Sequence, residues 1–353
     1  MKNKHIHVKE DVSLLHQINR QIRTELQIDP VKTKRFLILK FLVYFTLTIL
    51  NYWALFQITS PFWFVVAYIS YGYIALLFAF NFAHDCSHNT VFKSDRWNNL
   101  GFIALYTMMG AHAEAWRARH VHSHHFAPNV DGYDSDLSIS PLIRVIPGSP
   151  FRWYNRYQHW YAPLAYTTYS LFWIFIKDFV LLFQKEEYGL QKDWKYYVSF
   201  VVQKLTYISY LLVLPLLFAQ QTVTVILIGY LMMHLMQSLF LLFTFFMTHH
   251  VEETFYPTTN KSGEIQASWL NNQIWSSNDF YPFSELANFI FGGFNNHIAH
   301  HLFPHIHHVH YPKLNRILYQ MLTDKGIIPN QTSYWGGVVS HLRLLKRMST
   351  PIA

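Results

Sequence analysis

The chain has 353 residues, of which 51% are apolar and only 14% charged, with a formal net charge of +8. Long apolar runs with so little charge indicate a membrane protein, and there a basic excess is first a topology signal, not a mark of nucleic-acid binding. The single cysteine, Cys86, excludes a disulfide framework, a cysteine-held zinc and an iron–sulfur cluster within the chain, so any electrons it uses come from another protein or domain.

Residues 1–35 are polar and basic, carry eight Lys or Arg, and lack the apolar stretch of a cleavable signal peptide. Val12, Leu14, Leu15, Ile18, Ile22, Leu26 and Ile28 recur at helical spacing and predict an amphipathic helix over about residues 11–28. Two apolar runs follow, 36–58 and 62–82, parted only by Thr59, Ser60 and Pro61. Each approaches the ~20 residues that cross a bilayer, so together they predict a tight hairpin. A polar interval then extends over 84–195. Its apolar piece at 100–110 and its aromatic piece at 162–183, interrupted by Lys177 and Asp178, read as interfacial or shallow helices. Runs 197–219 and 222–247 form a second hairpin, joined by Gln220 and Gln221, and residues 248–353 are polar, basic and His-rich.

Neither hairpin turn holds Lys or Arg, and within the spans only Lys40 and Lys204 are basic. The positive-inside rule therefore makes both termini and the central interval cytosolic. The expected fold is an all-α integral membrane protein with four transmembrane helices in two hairpins. Residues 1–35 would be a cytosolic N-terminal segment and 36–353 a single domain, with 84–195 and 248–353 as its cytosolic helical cap.

Histidines number 22 and exceed the 20 acidic residues. Seven of them crowd into residues 295–312, NNHIAHHLFPHIHHVHYP, where His297, His300 and His301 share one helix face. His84 and His88 (HDCSH) follow the second span at i, i+4 spacing. His120, His124 and His125 (RHVHSHH) lie in the central interval, with His122 as a further option, and His249 and His250 (THHVEE) follow the fourth span. Taken singly, such pairs are ordinary interface residues, and a His-rich tract can be a surface tract for stray metal. Taken together, they fall on one side of the membrane by an independent topology argument, and only His234 lies deep in a span. Neutral imidazole suits iron, zinc, copper and nickel, and about nine such ligands are too many for one ion, so two metals follow. The chain has no Glu-x-x-His run of the kind used by soluble di-iron bundles.

Over about residues 40–347 the chain resembles the membrane fatty acid desaturases. The tripartite pattern HDCSH, RHVHSHH and HIAHH carries the likeness. WRARHVHSHHFAPNVDGYDSDL, THHVEET and FGGFNNHIAHHLFPHIHHVHYP resemble the bacterial branch related to linoleoyl-CoA desaturases. The resemblance implies that His84, His88, His120, His124, His125, His297, His300 and His301 bind two Fe2+ ions. It makes His249 the additional ligand, with His250 its rival, and leaves His122 in a supporting position. Asp85, Asn129, Asp134, Asp136 and Glu252 become candidates to accept the ligands' other N–H groups. No catalytic residue beyond the ligands and no organic cofactor site is implied.

The implied reaction is O2-dependent insertion of a cis double bond into a fatty acyl chain, carried on CoA, a carrier protein or a glycerolipid. Its electrons would come from an external ferredoxin or cytochrome b5, and its site would face the cytosol, at the cell membrane in a bacterium. Phe80, Phe82, Trp116 and Phe245 are candidates to line an acyl tunnel. Arg117, Arg119, Arg144, Arg152 and Arg156 are candidates to meet a CoA or lipid phosphate. The sequence departs from the family at three points. His297 stands where front-end desaturases commonly carry Gln, which argues against front-end specificity. Phe245 stands where the stearoyl-CoA type has Asn, and the fused cytochrome b5 domain of many relatives has no counterpart. The rival readings are a hydroxylase or ketolase on the same scaffold and a non-enzymatic haem- or metal-handling membrane protein. The last would need paired histidines in facing spans or charges at mid-membrane, which His234 alone does not supply.

Overall fold

The computed structural model describes residues 4–137, 142–185 and 190–351. Helix α1 (Lys9–Glu25) precedes the first hairpin, α2 (Pro30–Ala54) and α3 (Pro61–Ser87). Ser60 and Pro61 open α3, with proline at the position where a missing N–H costs nothing. The central interval holds α4 (Asp95–Met109), α5 (Ala113–Arg119), α6 (Trp153–Tyr166) and α7 (Tyr169–Phe183). The second hairpin is α8 (Trp194–Phe218) and α9 (Val223–His249). These four long apolar helices make the chain an integral membrane protein. Relative to the expected spans, α2 starts earlier, at Pro30, and α3 runs on to Ser87, which puts His84 on helical backbone.

Contacts gather the chain into two compact units. One comprises Pro30–Ala118 and Pro163–Leu242. Its centre is aromatic: Tyr68, Tyr71, Tyr207 and Tyr230 pack with Phe64, Leu211, Ile226 and Met233. Helix α4 ends at Gly110, in the left-handed region at φ +79°, and a Cβ there would stand 2.9 Å from the Tyr207 ring. Only glycine satisfies both conditions.

The expected shallow helix at 162–183 is divided, with α6 and α7 bent by 77°. The break falls at Thr167 and Thr168, whose hydroxyls bond the carbonyls of Leu164 and Ala165 (2.7 and 2.9 Å) and compete with the helical ladder. Asp178 is buried because it meets the cation of α8. Lys204 Nζ lies 2.6 Å from Asp178 Oδ2 and also donates to the carbonyls of Gly110 and Ile174. His234, deep in α9, is satisfied on both ring nitrogens, by Ser170 Oγ and Tyr207 OH at 2.8 Å each. It is a packing histidine between helices of this unit.

The other unit comprises Met1–Asp29, Arg119–Ala162 and Phe243–Ala353. Its later elements are α10 (Trp269–Trp275), α11 (Glu285–Phe291), α12 (His297–Leu302), α13 (Tyr311–Thr323) and α14 (Tyr334–Arg347). Two short strands, β1 (Asp279–Phe280) and β2 (Gln331–Thr332), pair in parallel. Leu14, Ile18 and Ile22 of helix α1 join one core cluster with Leu270 and Ile274 of α10, Ile298 and Leu302 of α12, and Leu314, Leu318 and Leu322 of α13. The N-terminal segment thus contributes to the core that carries the third histidine box. Burying each such side chain contributes roughly 1.5–3 kcal/mol.

Ile18 is fully buried in this cluster. Ile18→Ala is expected to destabilise the protein by about 2–5 kcal/mol. Thermal unfolding of the detergent-solubilised protein measures the loss, and an unchanged midpoint would refute the packing role assigned to α1.

Candidate metal centre

Three chain segments bring the site histidines of the second unit together. His124 ends the single π-helical turn His120–His124 that continues α5. His249 is the last residue of α9, and His297, His300 and His301 occupy the two turns of α12. The backbone holds α12 in place from both ends. Asp279 Oδ1 accepts the Ile298 N–H at 2.9 Å, near the start of the helix, while Oδ2 accepts from Tyr319 OH at 2.9 Å. Burial pushes the Asp279 carboxyl up to about 7, despite these donors. Ahead of α12 the chain turns at Gly293, at φ +88°, where a Cβ would stand 2.5 Å from His308 Cβ.

The ring nitrogens fall into a defined pattern. His124 Nδ1 lies 3.0 Å from Asp134 Oδ2. His249 Nδ1 donates to the Ser276 carbonyl at 2.8 Å, and His301 Nδ1 lies 2.9 Å from Gln273 Oε1. Each of these oxygens only accepts, so each Nδ1 carries the proton and each Nε2 presents a bare lone pair. Those lone pairs face one another. His249 Nε2 is 3.0 Å from that of His124, 3.2 Å from that of His301 and 2.6 Å from that of His297. In the neutral tautomers set by the outer partners, His124, His249 and His301 have no proton to share, so this inward face suits a cation. At a metal–nitrogen distance of about 2.0–2.1 Å, neighbouring ligands around one ion stand roughly 3 Å apart, which the separations of His249 from His124 and His301 match. His124, His249, His297 and His301 can therefore hold a metal ion.

Beside this quartet lie His120, His125 and His300. His120 Nε2 and His125 Nε2 are 3.2 Å apart, and the His300 ring is 4.5 Å from that of His125 and 5.9 Å from that of His120. The rings of His125 and His301 stack at 4.5 Å and join the two groups. In the first unit, His84 and His88 form a pair with rings 5.2 Å apart, and Trp116 packs on His84 at 6.2 Å.

The two rings differ in charge preference: Asp134 favours a second proton on His124, which a metal ion would displace, while burial keeps His301 neutral. Burial opposes charge on His124, but the Asp134 carboxylate outweighs it and holds His124 above its ordinary value. Burial first, then the neighbouring imidazoles, push His301 well below its usual range and keep it neutral.

Of the remaining expected residues, Asp136 offers a carboxylate oxygen within 4.8 Å of ring nitrogens of His120 and His124. His250 points away from the quartet; its Nδ1 meets Tyr256 OH at 2.9 Å. His122, expected to support the ligands, is exposed, because two residues from both His120 and His124 is the opposite side of a helical turn. Asn129, expected to accept a ring N–H, instead donates through Nδ2 to the His249 carbonyl at 2.8 Å, and its backbone N–H reaches Asp134 Oδ2 at 2.9 Å. Asp136 pairs with Arg119 at 3.5 Å, Asp85 Oδ1 lies 3.5 Å from Thr90 Oγ1, and Glu252 gives its backbone N–H to Ser340 Oγ. Phe245 packs against both His124 (6.2 Å) and His249 (6.1 Å). Arg144, expected to meet a phosphate, is engaged by the carbonyls of Met348, Thr350 and Ser149.

The family model for fatty acid desaturases matches residues 58–333. The chain belongs to the fatty acid desaturase family. Among family members, it is 31% identical over 286 residues to the acyl-lipid (8-3)-desaturase of Physcomitrium patens, an alignment covering 78% of this chain and 58% of the relative. It is 27% identical to the sn-1 linoleoyl-lipid 6-desaturases of Arthrospira platensis and of Synechocystis sp.. Those alignments cover 76% and 77% of this chain, and 74% and 76% of the relatives. The chain thus spans little more than half of the moss protein and about three quarters of the cyanobacterial ones.

Reading the histidine boxes does not reveal Gln273, Ser276 or Asp279, which orient two box histidines and α12. Their only sequence signal is a run of neutral amides and hydroxyls, NNQIWSSND, that is buried almost throughout.

Asp134→Asn removes the charge that orients His124, and divalent-metal affinity is expected to fall about 10- to 100-fold, read by competition titration. A second expectation concerns acid. His341, buried in α14, donates from Nδ1 to the His250 carbonyl at 2.7 Å, and burial pushes it down to about 4. Below its ordinary value of 6.5 the unfolded chain takes up a proton that the folded one refuses. Stability is therefore full above pH 6.5 and is lost as pH falls towards 4, by roughly 3 kcal/mol at most. His341→Asn, which keeps a donor there, should flatten that stretch of the unfolding-versus-pH curve; an unchanged slope would refute the assignment.

Proposed function

We propose that this protein is an O2-dependent fatty acyl desaturase that inserts a cis double bond into a lipid-borne acyl chain. Two iron ions would be held by His84, His88, His120, His124, His125, His249, His297, His300 and His301. The observation that carries the reading is the quartet of imidazoles whose inward nitrogens face one another with their outer protons engaged. Family membership supports iron as the metal. The relatives' names, acyl-lipid and linoleoyl-lipid desaturases, support a glycerolipid carrier over CoA.

When bound, the irons supply the activation of dioxygen, which no side chain can provide for an unactivated methylene pair. The chain's own residues hold and orient. Asp134, the Ser276 carbonyl and Gln273 each hold one ligand proton on Nδ1, so the three rings are set before metal arrives. Asn129 ties the His249 carbonyl, where α9 ends, to the loop carrying Asp134. Phe245 packs an apolar ring against His124 and His249, which keeps water from that side and offers an acyl chain an apolar surface. Electrons would enter from an external ferredoxin or cytochrome b5, and the basic termini and central interval support a site on the cytosolic face.

The test is a mass-spectrometric fatty-acid profile of a host expressing the chain, beside His300→Ala. New unsaturated acyl chains in the glycerolipids of the wild type alone are expected, with two irons per chain in the purified protein. Hydroxylated or keto products would overturn the desaturase outcome while keeping the metal site, and an iron-free protein would overturn both. Two relatives are 6-desaturases by name, so the profile is read for bond position as well as number.

A further inference from the structure

A line of oxidisable rings leads away from His84 within the first unit. Trp116 packs on His84 at 6.2 Å, and Tyr106 lies 4.9 Å from Trp116, tilted by 35°. Trp173 follows at 6.5 Å from Tyr106, and Tyr169 at 5.7 Å from Trp173. Each step is short enough for one-electron transfer between neighbouring rings. The line begins on a buried residue and ends on the half-exposed Trp173 and Tyr169. Phe102 packs on both Trp116 and Tyr106, but a phenyl ring is too hard to oxidise to divert the course. A second cluster, around Tyr207 and Tyr210, contacts His234 and no box histidine among the described contacts.

The outer end has further chemistry. Trp173 Nε1–H donates to Asp178 Oδ1 at 3.0 Å. Lys177 Nζ stands 5.5 Å from the Trp173 ring and 5.7 Å from the Tyr169 ring, and donates to Tyr169 OH at 3.3 Å. A cation over these faces favours the electron-rich ring and disfavours a positive one. An oxidised Trp173 is therefore expected to release its proton and persist as a neutral radical, and Asp178 is the acceptor in place.

We propose that Trp116, Tyr106, Trp173 and Tyr169 form a one-electron relay that carries oxidising equivalents away from His84 when no acyl chain is present. The proposal rests on His84 binding metal. Dioxygen becomes water by taking four electrons: the external donor gives two and the acyl methylene pair gives two. Without an acyl chain, the second pair passes inward through the rings, one electron at a time. As each electron leaves Trp173, its Nε1 proton moves to Asp178 Oδ1, and it returns when Tyr169 re-reduces the ring. Tyr169 gives its phenolic proton to solvent as it does so, a thiol in solution then returns a hydrogen atom to it, and the thiyl radicals from two such turns couple to a disulfide. The relay spares the histidine ligands.

The full-length protein as isolated is treated with hydrogen peroxide, which replaces dioxygen and donor, with neither acyl chain nor thiol added. Oxidised residues are mapped by peptide mass spectrometry, and iron is measured on the same samples. Wild type should accumulate oxygenated Trp173 and Tyr169. Trp116→Phe should lose most of that label and gain oxidised histidine, while Trp173→Phe should move the label inward to Tyr106 and Trp116. Iron-loaded proteins labelled alike at Trp173 and Tyr169 in wild type and Trp116→Phe would overturn the relay alone. Iron-free wild type would overturn the metal reading, and the relay with it.

Discussion

The Nε2 atoms of His124, His249 and His301 meet at 3.0 and 3.2 Å with their protons committed on the far side of each ring. Such an arrangement is costly in a buried place unless a positive charge occupies the middle. The surrounding structure follows from keeping it in register. Three acceptors of different kinds, a carboxylate, a peptide carbonyl and a side-chain amide, fix the three rings. The helix carrying His297, His300 and His301 is held by Asp279 at its start and by the apolar wall of α1 and α13 along its side. Precision at the centre depends on residues that never touch it.

The spans, and the histidines that the structure groups, were legible because both obey simple periodicities. A bilayer demands a length of apolar residues, and a shared ligand point demands i, i+3 and i+4 spacing. The supporting residues obey neither rule. Asp134 was readable as a carboxylate close to a box in sequence. Gln273 and Ser276 come from a different segment, and Ser276 acts through its carbonyl, which carries no side-chain signature. Asn129 was legible as a polar partner but not in its role, since an amide can donate as readily as accept.

Two further differences have local causes. The turn His120–His124 is wound as a π-helix, so His120 and His125, five residues apart, meet through their ring nitrogens at 3.2 Å. An ordinary helical reading of RHVHSHH could not distinguish that pairing from one between His120 and His124. The bend between α6 and α7 arises from two threonine hydroxyls, in a stretch whose hydropathy is continuous.

The ion pair between Asp178 and Lys204 bears on how the chain enters the membrane. Lys204 sits near the middle of the 25-residue α8, where a lone ammonium opposes insertion by about 2.5–3.5 kcal/mol. Its anion lies 26 residues earlier in the chain. Synthesis runs from the N-terminus, so Asp178 has already left the ribosome when Lys204 emerges. The segment that insertion machinery must accept is then α7 and α8 together, with their charges neutralised against each other, rather than α8 alone. The bend that sets α7 off from α6 leaves it a separate helix that can pair with α8 in this way.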